Sequence, residues 1–184
     1  FKVININFNK NALKVLIINI STHFTKDRDT SEYDVLEPPL GLIALQSYLN
    51  REFEEKVICK IIKTSVDFDN YEELENIIND FKPDLIGVSA MTFHKNFFHD
   101  AIKEIRNRGY ENMIVVGGPH PTTSYQEVLE DKNIDVCVIG EGEATLAEIV
   151  DRLINNEKKY LSYEDLGKID GIAFNKTKFL KKSA

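Results

Sequence analysis

Five short apolar runs rich in β-branched residues alternate with amphipathic stretches, and this alternation constrains the fold more than any other feature of the chain. The runs occupy residues 14–20, 57–62, 84–89, 113–116 and 135–139. Each is too short for a helix and apolar nearly throughout, the pattern of a strand buried on both faces. Between them, apolar residues recur at helical spacing. Leu74, Ile77, Ile78 and Phe81 form one such set, Phe98, Ala101, Ile102 and Ile105 another, and Leu146, Ile149, Val150 and Leu153 a third. Leu40–Leu49 forms a further helix with a broad apolar face, entered through Pro38-Pro39, which suit a first helical turn. Strand–helix alternation repeated in this way demands a parallel sheet with helices on both sides.

The expected fold class is therefore α/β: a flavodoxin-like or Rossmann-like doubly wound sheet of five parallel strands, plus a C-terminal β-hairpin. Pro83 closes the second helix and Gly109 caps the third. Ser124 and Glu127 match a capping box and predict a helix from Ser124 onward. Residues 169–174, the turn 175–177 and residues 178–180 read as the hairpin. Residues 1–13 are an edge strand or a leader, and 14–165 form the main domain. Residues 166–184, the hairpin, are expected to lead into a further domain. Residues 21–37 are polar without a helical period, and a loop of that length is usually functional.

Glycine clusters mark the binding edge. The fourth run ends in Gly117-Gly118-Pro119-His120 and the fifth in Gly140-Glu141-Gly142-Glu143. In open α/β sheets ligands sit beyond the carboxyl ends of the strands, and glycine lets them approach the backbone. No glycine-rich turn follows the first strand and no phosphate loop is present, so the usual nucleotide signatures are missing. Glu141 and Glu143 would repel phosphate, which favours a larger, less anionic ligand. A plain structural role for these glycines, shaping tight turns, is the competing account.

Composition narrows the class further. The chain has 184 residues, enough for one domain, and a formal net charge of −7. No long basic run stands out, which argues against a nucleic-acid partner. No apolar run approaches the roughly 20 residues of a membrane helix, and the first residues lack a secretory pattern, so a cytoplasmic protein is expected. The chain does not begin with Met, which is expected of a fragment or processed product. Cys59 and Cys137 fall inside strands and read as buried free thiols. Three of the four histidines, His23, His94 and His120, follow strand ends. A metal site would need two or three of them to converge, with Glu141 or Glu143. His99 reads as a surface residue of a helix. No nucleophile or carboxylate pair stands out as catalytic.

Three motifs carry a resemblance. Pro38-Pro39-Leu40-Gly41-Leu42, the run from Val116 through Gly117-Gly118-Pro119-His120 to Thr122, and Val138 to Glu143 together resemble the N-terminal cobalamin-binding domain of cobalamin-dependent radical SAM enzymes. Within these enzymes the motifs resemble those of the anaerobic magnesium-protoporphyrin IX monomethyl ester cyclase group. The resemblance spans about residues 14–182 and implies cobalamin as cofactor and partner. It also implies a radical SAM domain elsewhere in the parent protein, holding a 4Fe-4S cluster and S-adenosylmethionine. The Cys-x-x-x-Cys-x-x-Cys cluster motif is absent from these residues, so the fragment alone is not expected to be a catalyst.

The broader cobalamin fold carries Ser-x-Leu after its third strand and Gly-Gly after its fourth; Ser89-Ala90-Met91 and Gly117-Gly118 resemble these. By that resemblance Ser89 hydrogen-bonds the benzimidazole tail, with Met91 and Thr92 beside it, and Gly117-Gly118 leaves room for the nucleotide loop. Glu141, Gly142 and Glu143 border the slot, Pro119 and His120 adjoin it, His120 touching corrin amides or phosphate or facing solvent, and Pro39 and Gly41 face it. The family's Asp-x-His-x-x-Gly has only a weak counterpart around His23, without the Asp or the Gly, which leaves His23 a poor candidate for a cobalt ligand. The 21–37 loop is expected to act as a flap over the corrin. Three rivals remain at this stage: a flavodoxin-like binding or signalling module without cobalamin, a small His/Glu metal-dependent enzyme, and an interaction domain whose glycine loops are structural only.

Overall fold

The structure, a computed structural model, describes residues 11–20, 23–25, 38–156 and 160–182. Most of the expected leader, most of the 21–37 loop and its flap role lie outside the described residues. The strands are β1 (Leu13–Asn19), β2 (Val57–Lys63), β3 (Leu85–Ser89), β4 (Met113–Gly117), β5 (Val136–Val138) and β6 (Ile172–Phe174). The helices are α1 (Leu40–Phe53), α2 (Tyr71–Phe81), α3 (Lys95–Asn107), α4 (Pro119–Val128), α5 (Glu143–Asn155), α6 (Tyr163–Leu166) and α7 (Lys176–Lys182). The sheet order is β2-β1-β3-β4-β5-β6, with the first five strands parallel and β6 antiparallel at the edge.

Strand alternation sends successive side chains to opposite faces. Val15 and Ile17 of β1, Leu85 of β3 and Val115 of β4 meet α1 and α5 on one face, through Leu42, Leu49, Leu146 and Val150. Leu16, Ile18, Ile86 and Val116 meet α2, α3 and α4 on the other, through Leu74, Phe98, Ile102 and Val128. Two apolar layers on one sheet explain why the strands read as continuous apolar runs. The expected α/β class holds, with one strand more in the sheet than expected.

Two local expectations are corrected. Residues 169–180 do not form a free hairpin. Ile172–Phe174 joins the main sheet against β5, and Lys176–Lys182 is helical. Asn175, expected in the turn, accepts backbone N–H bonds from Thr177 (3.1 Å) and Lys178 (3.4 Å), the action of a helix N-cap. Phe179 then buries against Tyr160 and Phe174. Helix α4 starts at Pro119 rather than Ser124. Gly118 turns the chain sharply at φ +95°, Pro119 is pre-set for the first helical turn, and Ser124 lies at a kink inside the helix. A capping box is formed instead by Ser162 and Asp165, at the start of α6.

The amino end of β5 is held by a buried polar network. Asp135 is fully buried and accepts from the backbone N–H of Ile114 at 2.8 Å. Arg106 of α3 and Lys178 of α7 each approach its carboxylate at 2.6 Å, and the Tyr160 hydroxyl donates to it. One carboxylate thus joins α3, β4, β5 and α7. Removing it leaves two largely desolvated cations without their counterion, a loss of about 3 kcal/mol or more. Asp135→Ala is expected to lower the unfolding free energy by that amount in urea denaturation, and Asp135→Asn by less. A loss no larger than a surface substitution would show the network to be energetically idle.

Candidate functional site

The site grows out of the parallel register. Pairing places Asn19 beside Ser89 and Ser89 beside Gly117, one row across β1, β3 and β4 at their carboxyl ends. One row deeper, Ile17 pairs with Gly87 and Gly87 with Val115. Gly87 presents no side chain to the face that α1 and α5 cover, and Gly117 presents none at the edge above it. A cleft of about 210 Å³ opens there. Its apolar lining comes from Ile17, Leu42, Leu45, Val115, Val138 and Leu146; Ser89, Glu141 and Glu143 are the polar side chains in it.

Gly118 shapes the wall beside Ser89. A Cβ on it would lie 2.6 Å from Ser89 Oγ, closer than real contacts allow. Its φ of +95° with ψ −172° also belongs to a region that is essentially glycine's alone. Gly142 closes the opposite side, where a Cβ would press Leu45 of α1 at 3.3 Å, whereas Gly41 has open space around it. Glycine at 87 escaped sequence reasoning. A glycine inside a strand run does signal close backbone approach, and it was readable on that ground.

Of the residues singled out in the sequence, Gly41, Ser89, Gly117, Gly118, Pro119, Glu141, Gly142 and Glu143 come together in the cleft lining. Pro39 ends its loop one turn away, its carbonyl accepting from Leu42 and Ile43. Met91 is exposed and Thr92 begins a 3₁₀ turn, both beyond the lining. Leu40, Ile43, Met91 and Phe93 are exposed apolar side chains on the same edge of the sheet. A larger hollow of about 350 Å³ lies at the opposite edge, between α2 and α3. Arg108 there is already paired with Glu75 and Glu104, and the hollow adjoins the amino ends of β3 and β4, away from the ligand edge of such sheets.

The histidines fall into two pairs, His23 with His94 and His99 with His120. His23 and His94 are neighbours beyond β1 and β3, where the Ser65 hydroxyl donates to the His23 carbonyl at 3.4 Å. Phe24 next to His23 is packed edge-on against Tyr71 and Phe97, which carries this segment to the α2–α3 side of the sheet. Burial holds the His94 imidazole below its ordinary value; a backbone hydrogen bond at Ile20 opposes the shift, and the nearby His23 and Lys63 add to it. His120 is 1% exposed, so it does not face solvent. Its ring packs on Phe98 and His99, and neither ring nitrogen has a hydrogen-bond partner. His99, read as a surface residue, is half-buried and paired with Asp131 at 2.7 Å. Among the described residues, no three His, Cys, Asp or Glu side chains are placed to hold a metal ion. Burial pushes the Cys59 and Cys137 thiols up to about 12, which leaves them unreactive.

The profile of the B12 binding domain matches residues 29–150. The chain belongs to the B12-binding domain family. An uncharacterized methyltransferase of Pyrococcus horikoshii is 33% identical to this domain over 137 residues, covering 72% of the chain and 29% of the relative. An anaerobic magnesium-protoporphyrin IX monomethyl ester cyclase of Synechocystis is 40% identical over 73 residues, 39% of the chain and 13% of the cyclase. The cobalamin-dependent S-adenosylmethionine radical enzyme OxsB, solved with aqua-cobalamin bound, shares the fold at a TM-score of 0.70 and 20% identity over 90% of the chain and 21% of its own length. The radical S-adenosylmethionine methyltransferase TsrM of Kitasatospora setae, solved with cobalamin and a 4Fe-4S cluster, does so at 0.65 and 21% over 89% and 27%. The domain thus spans less than a third of each of these relatives. The resemblance drawn from three motifs is borne out, and no finding favours the rival readings. Among the described residues, no helix is long and apolar enough to cross a membrane.

Two outcomes follow from the geometry. Gly118→Ala is expected to cost about 1–3 kcal/mol in urea denaturation, from backbone strain and the Ser89 contact. Gly117→Ala, whose Cβ meets Val138 at an ordinary 3.7 Å, is expected to be close to neutral. The second concerns His120. Burial is the main cause that lowers its pKa; His99 and Lys95 add to the effect and Glu127 opposes it. Unfolded histidine titrates near about 6.5, so below that pH the unfolded chain binds a proton that the folded chain refuses. Stability should therefore fall as pH drops below about 6.5, and His120→Phe should lose less between about pH 7.5 and about pH 5.5 than the wild type. Equal losses would exclude His120 as a source of the pH dependence.

Proposed function

We propose that this B12-binding domain holds cobalamin at the carboxyl edge of its sheet and serves as the cofactor-binding part of a larger radical SAM enzyme. The observation that carries the reading is the cleft floored by Gly87 and Gly117, a trench that side chains leave open between two helices. A bulky nucleotide tail needs such a slot. Ser89 would hydrogen-bond the tail, and Gly117 and Gly118 would leave room for the nucleotide loop. Glu141, Gly142 and Glu143 would border its mouth, with Gly41 on the facing wall. Pro39, Met91 and Thr92 would lie outside the slot, toward the corrin. His120 lies under α4 and would support the turn at Gly118 rather than touch the cofactor. Bound cobalamin supplies a cobalt centre that can accept and donate a methyl group or take part in radical chemistry. The protein's contribution is to bind and orient it and to limit water at the slot.

Residues 14–165 would form this cofactor domain, and the segment from 166 onward would lead into the radical SAM domain with its 4Fe-4S cluster and S-adenosylmethionine. The exposed Leu40, Ile43, Met91 and Phe93 support a covering body at that edge, because exposed apolar side chains gathered on one edge are typical of contact surfaces. His23 would not ligate cobalt, since it sits on the α2–α3 side with Phe24. A cytoplasmic location suits a free-thiol protein with an oxygen-sensitive partner cluster.

The test is a titration with hydroxocobalamin followed by gel filtration and absorbance spectroscopy. Stoichiometric retention with a base-off spectrum is expected, unchanged in His23→Ala. Gly117→Leu should fill the slot and weaken binding by about tenfold or more. Undiminished binding by that variant would sink the tail-in-slot arrangement.

A further inference from the structure

We infer that the cleft discriminates between cobamides by the chemistry of their tail base, accepting a benzimidazole and rejecting a purine. The inference rests on the reading that the nucleotide tail enters this cleft. Its volume of about 210 Å³ suits a fused bicyclic base and is far too small for a corrin macrocycle. Shape alone would therefore admit both kinds of base. Polarity separates them.

The interior is apolar on both walls, with Leu42 and Leu45 from α1, Leu146 from α5, and Ile17, Val115 and Val138 from the sheet. Ser89 supplies the hydroxyl, and the two carboxylates come from Glu141, in the loop after β5, and Glu143, the first residue of α5. Some of the backbone groups around the cleft are already engaged. The Ser89 carbonyl accepts from Ile20 N–H at 3.0 Å, and the Gly118 carbonyl from Thr122 N–H at 3.0 Å. The Gly142 carbonyl accepts from Leu146 N–H at 2.8 Å. The Gly140 N–H donates to Thr122 Oγ1 at 3.2 Å.

A benzimidazole released from cobalt has one unpaired ring nitrogen, an acceptor that a single serine hydroxyl can satisfy. Adenine brings an exocyclic amine donor and several ring-nitrogen acceptors. In this interior most of them would be desolvated without partners, and buried polar groups left unpaired are costly. With the base held among the apolar side chains, the carboxylates would be left to the ribose hydroxyls. A site matched to one polar group discriminates strongly against a ligand that leaves others unpaired.

The experiment compares cobalamin, adeninylcobamide and the tail-less cobinamide in equilibrium titrations of the full-length protein, read by intrinsic fluorescence and corrin absorbance. Cobalamin is expected to bind tightest, with adeninylcobamide weaker by about tenfold or more. Equal affinity for cobalamin and adeninylcobamide overturns the inference while leaving cobalamin binding intact. Cobinamide binding as tightly as cobalamin also overturns it, because the tail then lies outside the cleft. Failure of all three to bind overturns the underlying cobalamin reading as well.

Discussion

The parallel register of β1, β3 and β4 is the constraint on which the cleft at the carboxyl edge rests. Because β1 pairs with both β2 and β3, chain direction around the sheet reverses beside β1. Crossover helices on the two sides of such a reversal diverge and leave a crevice at the carboxyl ends. Register then decides which residues line it. Asn19, Ser89 and Gly117 fall in one row, with Ile17, Gly87 and Val115 in a deeper one. A slip of one residue would turn every side chain to the other face, moving Gly87 away from the cleft and Ile86 into it. The apolar packing on both faces is what holds that register, so the core and the site are not separable.

The two ends of the sheet are built for different work. At the amino end, Asp135 gathers Arg106, Lys178 and Tyr160 around one buried carboxylate and ties the last helix to the sheet. At the carboxyl end the backbone turns through glycines, the cleft stands open and apolar side chains are exposed. Rigid support at one end allows the other to remain unfilled, since an empty apolar trench forgoes packing that the rest of the core must supply. His120 belongs to the supporting side. Its ring nitrogens are buried without partners directly behind the Gly118 turn, which makes the junction between β4 and α4 a locally costly piece of structure.

Much of this was legible in advance because the signals were strong and local. Apolar runs of strand length, helical spacing in Leu74–Phe81, Phe98–Ile105 and Leu146–Leu153, and glycines at two strand ends specify the element order and the edge at which the cleft opens. The errors came where a local signal had a rival. Ser124 with Glu127 looks like a capping box, yet the Gly118-Pro119 turn starts the helix earlier and leaves Ser124 at a kink. Asn175 suits a hairpin turn and a helix N-cap equally well, and the burial of Phe179 decided for the helix. His120 follows a glycine pair at a strand end, where a ligand contact is a natural expectation, but its side chain points to the opposite face.

By itself the sequence determined the α/β class, the succession of strands and helices, the carboxyl edge as the one where a cleft opens, and, through the resemblance of three motifs, the cobalamin-binding family. These properties depend on periodicity and on residue types at fixed spacing, which are local. Tertiary structure alone decided the strand order, the addition of Ile172–Phe174 to the main sheet, the convergence of Gly41, Ser89, Gly117 and Gly142 on one cleft, and the pairing of His23 with His94 and of His99 with His120. Those depend on which face each side chain takes once distant strands pair and helices choose a side, and no spacing along the chain encodes that choice.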